Sequence, residues 1–312
     1  MKKLVLTAIL CAGGLLHAQN NNAVEQLDSV LIATKIPVSV KNSGKVTTTI
    51  SAATLERSAG KSVAQLINEV SGIEINGSRS NDGQNLGYFI RGGSNRQVVI
   101  LIDGVPLTDP SQISNDYDLR LVPSSNIEKI EIIKGASSVL YGSGAATAVI
   151  SITTKKAAKD EVSATITSTV GSNRASEDSD DLSLDAFTNF VTVNGTLHRF
   201  FYNATFGNRY TDGISAVEAP ENEPAFESDV FNRYNGRLNL GYHITDKITI
   251  SQFFSFDKFK ADFDEFSYVD AENRSITEQI KTGGHFEWKY AKGTYVFNDS
   301  YTWIEREIAS SF

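Results

Sequence analysis

One cysteine, Cys11, stands in 312 residues. Disulfide staples and CxxC redox or zinc chemistry are thereby excluded, because both need paired thiols. Histidine is scarce as well. His198, His243 and His285 lie far apart with no second ligand at metal spacing, and no HExxH occurs. Basic charge is outnumbered: 29 Lys and Arg face 37 Asp and Glu, for a net charge of −8. No basic stripe is present to neutralise phosphates, so nucleic acid is not an expected partner. Past residue 18 no apolar run reaches the length of a transmembrane helix. The glycine-rich Gly142-Ser143-Gly144 lacks the Gly-x-Ser-x-Gly of a hydrolase elbow, and no Gly-Lys-Ser/Thr follows to make a P-loop. Nothing points to an enzyme, and no cofactor is required.

What is present begins with a secretory pattern. Lys2 and Lys3 precede an apolar stretch over residues 4–16, and Leu16-His17-Ala18 makes an acceptable cleavage site. Residues 1–18 are therefore read as a signal peptide, too short in its apolar part to span a bilayer. Bulky Ile9 and Leu10 before Cys11 argue against a lipoprotein anchor. Residues 19–44 are read as a flexible N-terminus, polar over 19–22, with an isolated apolar run at about 27–34.

Residues 89–156 carry the densest signal. FIRGGSNRQVVILIDGVPL is followed, after a spacer, by IEKIEIIKGASSVLYGSGAATAVISITTKK. Apolar β-runs at 98–102 and 127–133 each end in a glycine turn, Asp103-Gly104 and Lys134-Gly135. Tyr141-Gly142-Ser143-Gly144 then leads into a third run at 149–153. Upstream, Ser62 to Gln65 reads as a capping box. Ala64, Leu66, Ile67 and Val70 give a helical apolar face that Gly72 closes, and Ile73 to Asn76 reads as a strand.

From residue 161 the texture changes to period-2 alternation with aromatics. Leu238, Leu240 and Tyr242 alternate with Arg237, Asn239 and Gly241. Phe286, Trp288 and Tyr290 alternate with His285, Glu287 and Lys289. Seven strands are predicted, at 161–171, 183–193, 197–208, 232–243, 247–259, 277–290 and 294–306. Their links alternate long and short, as in outer-membrane barrels with long outer loops and tight periplasmic turns. Seven strands leave two open edges, which lipid does not tolerate. The expectation is therefore the N-terminal part of a longer barrel.

The motifs of residues 45–156 resemble the plug domain of TonB-dependent outer-membrane receptors, whose marks are an RG…LIDG pair and an IE.IE…KG…YG segment. The resemblance implies an α+β plug domain (45–156) followed by an antiparallel transmembrane β-barrel (157–312), with about seven of roughly 22 strands present. It implies a location in the Gram-negative outer membrane, with the plug and N-terminus open to the periplasm. It further implies that residues 28–34 (Asp28, Ser29, Val30, Leu31, Ile32, Ala33, Thr34) form a TonB box. That box would add as a strand to TonB, which the ExbB/ExbD complex energises. Plug arginines of the family contact barrel glutamates, so Arg91 is expected to pair with wall carboxylates. Asp103 is read as a turn-former. The polar plug loops 77–87 and 106–117 are where ligand is expected, at Arg79, Asp82, Asn85, Asp109, Asp116 and Tyr117. The acidic outer loop 209–231, with Asp212, Glu218, Glu221, Glu223, Glu227 and Asp229, offers carboxylates of the kind Ca²⁺ takes.

The DSVLIAT and VVILIDGVPL segments look most similar to the cobalamin-receptor branch. Iron–siderophore and haem receptors share the motifs, and a non-transporting adhesion barrel is the alternative of another class. GAATAVISITTKK departs from the family's GGVINIITK, with Ala146-Thr147 where small residues, often glycines, are usual.

Overall fold

In the computed structural model, the described residues are 44–58, 60–78, 82–83, 86–112, 117–156, 162–172, 184–213, 215, 219–223, 226–264 and 271–310. The backbone of residues 30–31 and 38–39 is described as well. Those two pairs, β1 (Val30–Leu31) and β2 (Val38–Ser39), form a short antiparallel ladder.

The N-terminal globule is built on a five-stranded mixed sheet, ordered β3-β8-β9-β6-β7. Its strands are β3 (Val46–Ile50), β6 (Val98–Ile102), β7 (Val105–Leu107), β8 (Ile127–Lys134) and β9 (Ala148–Thr154). β6 and β9 run parallel, and the other pairs are antiparallel. A separate hairpin pairs β4 (Ile73–Asn76) with β5 (Gly87–Ile90). The apolar runs of β8 and β9 are near-continuous because both faces are covered. Ile130, Ile132, Ile150 and Ile152 pack into the main core with Leu55, Val63, Leu66 and Ile67. Ile133 and Val149 join a second cluster with Leu101 and Ala145 on the opposite face. Full burial of each such side chain contributes about 1.5–3 kcal/mol.

The helices that cover the main face are α1 (Ala52–Arg57) and α2 (Val63–Asn68). The capping box expected at Ser62 is formed. Ser62 N–H donates to Gln65 Oε1 at 2.8 Å, and Gln65 N–H donates to Ser62 Oγ at 3.2 Å. Gly72 takes φ +77° beyond the helix, a conformation that costs glycine little. A third, one-turn helix, α3 (Ser138–Tyr141), precedes β9.

The second unit is an eight-stranded antiparallel meander. It comprises β10 (Val162–Gly171), β11 (Ala186–Leu197), β12 (Phe200–Thr211), β13 (Phe231–Thr245), β14 (Ile248–Phe263), β15 (Asn273–Tyr290), β16 (Gly293–Asn298) and β17 (Tyr301–Ala309). Eight strands replace the expected seven because the last one breaks at Asp299-Ser300. Both halves pair with β15, β16 against residues 285–290 and β17 against 274–282. The glycines of β15 make room for the break. A Cβ on Gly283 would lie 2.5 Å from Asp299 O, and one on Gly284 would lie 2.5 Å from Asp299 Oδ1. The first turn also falls later than expected. Asn194-Gly195, a turn signal by composition, stays in the ladder opposite Asn203 and Tyr202, and the chain turns at His198 with φ +58°.

This sheet is inside out by the standards of water-soluble proteins. Leu238, Phe254, Phe297 and Tyr301 are exposed, whereas Arg233, Asp257, Gln279 and Lys281 are buried. The buried polar face lies against the globule, and Phe231, Phe259 and Ala261 merge with the globule's main core. Exposed apolar side chains alternating with buried polar ones mark a strand whose outer side faces lipid. Among the described residues no helix is long and apolar enough to cross a membrane.

Candidate functional site

Among the described residues, the seam between globule and sheet gathers most of the buried charge. Alternation along β12 to β17 turns every second side chain toward the globule, and those positions carry Arg209, Arg233, Arg237, Lys281 and Arg306. The globule answers with carboxylates from its turns. Arg306 Nη2 lies 2.9 Å from Asp109 and 3.8 Å from Asp118. Arg209 meets Asp82 at 2.8 Å and also donates to Gly60 O at 2.6 Å. Arg237 reaches Asp103 at 3.3 Å while its guanidinium lies 4.1 Å from the Phe253 ring centroid. Arg233 donates to the backbone carbonyl of Arg120 at 2.8 Å.

Tyr117 sits at the centre of the seam. Its hydroxyl donates to Gln279 Oε1 at 2.7 Å and accepts from Lys281 Nζ at 2.9 Å. Lys281 is 3.8 Å from Asp257. On the globule side, Tyr88 Oη donates to Tyr117 O at 2.9 Å and accepts from Leu119 N–H at 3.0 Å. Burial, with Asp257 nearby, pushes the Tyr117 phenol well above its ordinary range, so it stays neutral and can donate. Burial would raise Asp118 too. The Arg120 guanidinium at 2.7 Å, with Arg306 behind it, overrides that and holds its carboxyl below the usual range. Arg120 also stacks 4.7 Å from the Phe259 ring centroid.

Several expected sites receive a different task. Asp82, Asp109 and Tyr117 were expected to touch ligand. The structure buries Asp109 and Tyr117 completely and pairs Asp82 and Asp109 with wall arginines. They hold the seam, because an unpaired buried cation would be far costlier than a paired one. Arg91 was expected to meet wall carboxylates. It is exposed, with φ +50°, beside Gly135 and Lys134, and among the described residues it meets no carboxylate. At the described part of the seam the acids stand on the globule and the arginines on the wall. Asp103 is a turn residue as expected, with φ +50°. Its carboxylate also accepts from Thr154 N–H at 2.9 Å and Thr154 Oγ1 at 2.7 Å before reaching Arg237.

Of the acidic loop, Asp212 accepts from the Tyr210 hydroxyl and Asp229 is buried. Glu221, Glu223 and Glu227 are exposed. Among the described residues no three His, Cys, Asp or Glu side chains gather as metal ligands. Arg79, Asn85, Asp116 and Glu218 lie outside the described residues, as do Asp28, Ser29, Ile32, Ala33 and Thr34. Of the expected TonB box, the backbone of Val30 and Leu31 is described, paired with β2.

Sequence reasoning missed Arg209, Arg233, Arg237, Lys281, Arg306, Asp118 and Arg120. The available signal was charge at the polar positions of alternating strands, such as Arg233 and Arg237 four residues apart on β13.

Residues 39–149 match the family model described as the TonB-dependent receptor plug domain. Those residues form a plug domain of the TonB-dependent receptor type. The chain's globule is the plug, and its long sheet is part of the barrel wall. The chain is similar to the vitamin B12 transporter BtuB of Vibrio vulnificus, 26% identical over 285 residues, covering 90% of this chain and 43% of that protein. The Vibrio cholerae protein of the same name is 29% identical over 171 residues, 54% of this chain and 27% of the relative. Among solved structures, a variant of the ferric enterobactin receptor PfeA of Pseudomonas aeruginosa superposes with a TM-score of 0.61 at 20% identity, covering 82% of this chain and 40% of that one. The ferric yersiniabactin uptake receptor FyuA of Yersinia pestis gives 0.62 at 18% identity, over 86% and 42%. The chain thus spans less than half the length of these relatives. TonB-dependent receptors are outer-membrane proteins of Gram-negative bacteria, and transport, rather than catalysis, is the family's business.

Proposed function

We propose that the receptor containing this chain binds a scarce, bulky nutrient at the cell surface and passes it inward beside a displaced plug, leaving it chemically unchanged. The observation that carries this is the seam. Plug and wall meet largely through ion pairs and hydrogen bonds, which exchange for water at a modest net free-energy cost per contact. Such a plug can leave the wall with most of its apolar core intact, giving up its contacts to Phe231, Phe259 and Ala261. Energy for that movement would come from TonB and the ExbB/ExbD complex, with residues 28–34 adding as a strand to TonB.

Cobalamin is the first candidate cargo, supported by the name the curated relatives carry. An iron–siderophore complex is the second, supported by the structural neighbours. Deleting residues 28–34 from the full-length receptor should abolish uptake of labelled cyanocobalamin by cells while sparing its binding at the surface. Uptake that survives the deletion would remove the segment from the coupling role. Calorimetry with cyanocobalamin and with a ferric siderophore, each with and without Ca²⁺, separates the two cargoes and tests the acidic loop.

A further inference from the structure

Six residues of the chain place a carboxylate or its amide directly before glycine: Asn76, Asp82, Asp103, Asn194, Asp212 and Asn235. That pairing carries a chemical liability. Glycine has no Cβ to hinder its own nitrogen, so the nitrogen can attack the preceding side-chain carbonyl carbon wherever the fold leaves both groups free.

The fold engages all of these residues but one. Asp82 accepts from Arg209 at 2.9 and 2.8 Å. Asp103 accepts from Thr154 at 2.9 and 2.7 Å, and Asp212 accepts from the Tyr210 hydroxyl. An ionised carboxylate is in any case a poor target for a nucleophile. Asn194 and Asn235 lie inside the barrel ladder, the first between Ser163 and Asn203 and the second between Gly207 and Asp257. Gly195 and Gly236 are likewise paired on both sides. The N–H groups of an interior strand are spent on one neighbour or the other, so local opening must precede any reaction there.

Asn76 is placed differently. It is the last residue of β4, it is exposed, and its side chain makes no hydrogen bond among the described residues. Its sheet has two strands, so Asn76 stands opposite Gly87 and no second neighbour. The chain turns at once. Ser78 N–H donates to Ile75 O at 3.2 Å, which makes Asn76 and Gly77 the central residues of a β-turn, with Gly77 at φ +84°. The closing bond of such a turn does not use the Gly77 N–H, and that group has no acceptor among the described residues. Electrophile and nucleophile are adjacent and unengaged.

We propose that Asn76-Gly77 is a site of spontaneous covalent modification, with water as the one co-reactant. Gly77 N gives its electron pair to Asn76 Cγ and loses its proton. The Cγ–Nδ2 bond breaks, and Nδ2 takes up that proton and leaves as ammonia. Water then opens the resulting cyclic imide at either carbonyl, to aspartate or to isoaspartate, and nothing is oxidised or reduced. Both products put a carboxylate at the head of the polar loop 77–87. Isoaspartate also adds a carbon to the main chain, which displaces the pair with Gly87. Charge and shape at that loop then depend on the age of each receptor molecule, whatever its cargo.

The test incubates the full-length receptor in detergent at mildly alkaline pH and follows the three Asn-Gly peptides by mass spectrometry. The Asn76 amide should be lost roughly a hundredfold faster than those of Asn194 and Asn235, whose reaction waits on strand opening. Isoaspartate should appear in the same peptide, placed by its fragment ions. In urea-unfolded receptor the three rates should converge. Asn76→Gln should remove the conversion, because the longer side chain closes a less favourable ring. Loss at Asn76 no faster than at Asn194 and Asn235 overturns the proposal, as does a ranking that urea leaves unchanged.

Discussion

Removing the Arg306 guanidinium is the sharpest perturbation of the seam. Asp109 is fully buried, and its ion pair with Arg306 is 2.9 Å long. In Arg306→Ala, Asp109 would keep, among the described residues, the Ser111 N–H and hydroxyl, at 2.9 and 2.6 Å. Asp118 would still hold Arg120. Breaking one partner of a buried pair costs about 3–5 kcal/mol, and the surviving bonds to Asp109 place this case near the lower end. About 3 kcal/mol corresponds to roughly a 150-fold rise in the population of the undocked plug, at about 1.4 kcal/mol per decade. Native-state hydrogen exchange on the full-length receptor reads that population through the amides of Leu121 and Val122, which bond within the same turn. Combining Arg306→Ala with Asp109→Asn should cost clearly less than the sum of the two single effects. Acceleration below about threefold, or strict additivity in that cycle, would refute the idea that this pair holds the plug.

Two further outcomes are expected. Gly93→Ala should destabilise the plug by about 1–3 kcal/mol, because the new Cβ would sit 2.3 Å from Thr147 Cγ2. Adding Thr147→Gly should recover most of that loss in a thermal melt, and no recovery would mean the clash is not the cause. Asp118, whose folded-state pKa lies below the unfolded value of about 3.9, contributes stabilisation that is complete above about pH 4. It is lost as pH falls through the folded value. Plug opening, followed by limited proteolysis, should therefore be flat from neutral pH to about pH 5 and rise below about pH 4. Asp118→Asn should shrink that acid rise, and an unchanged profile would show that other carboxylates govern it.

Local pattern and remote pairing separate cleanly in this protein. The Ser62 capping box, the β-runs at 98–102 and 127–133, and the alternation of β13 and β15 were readable because each depends on residues within a turn or two. The Asn194-Gly195 turn was misplaced because cross-strand pairing with Asn203 and Tyr202 outweighed the local preference. The break at Asp299-Ser300 was invisible because it answers to Gly283 and Gly284 on the neighbouring strand. Asp109 and Tyr117 looked like ligand contacts because a polar loop residue reads the same whether it meets solvent or a wall arginine. Their partners, Arg306 and Gln279, lie 197 and 162 residues away.

What the sequence determined by itself is the kind of object this is: a globule with glycine-punctuated strands, joined to strands that show apolar side chains outward and polar ones inward. Period-2 alternation and turn chemistry are local, so they survive in one dimension. What the tertiary structure alone decided is who holds whom. It put the acids on the plug and the cations on the wall, with Arg209, Arg233 and Arg306 in one cross-strand register and Arg237 and Lys281 in another. Register across five strands sets that arrangement, and register is a relation between distant segments rather than a property of any one of them.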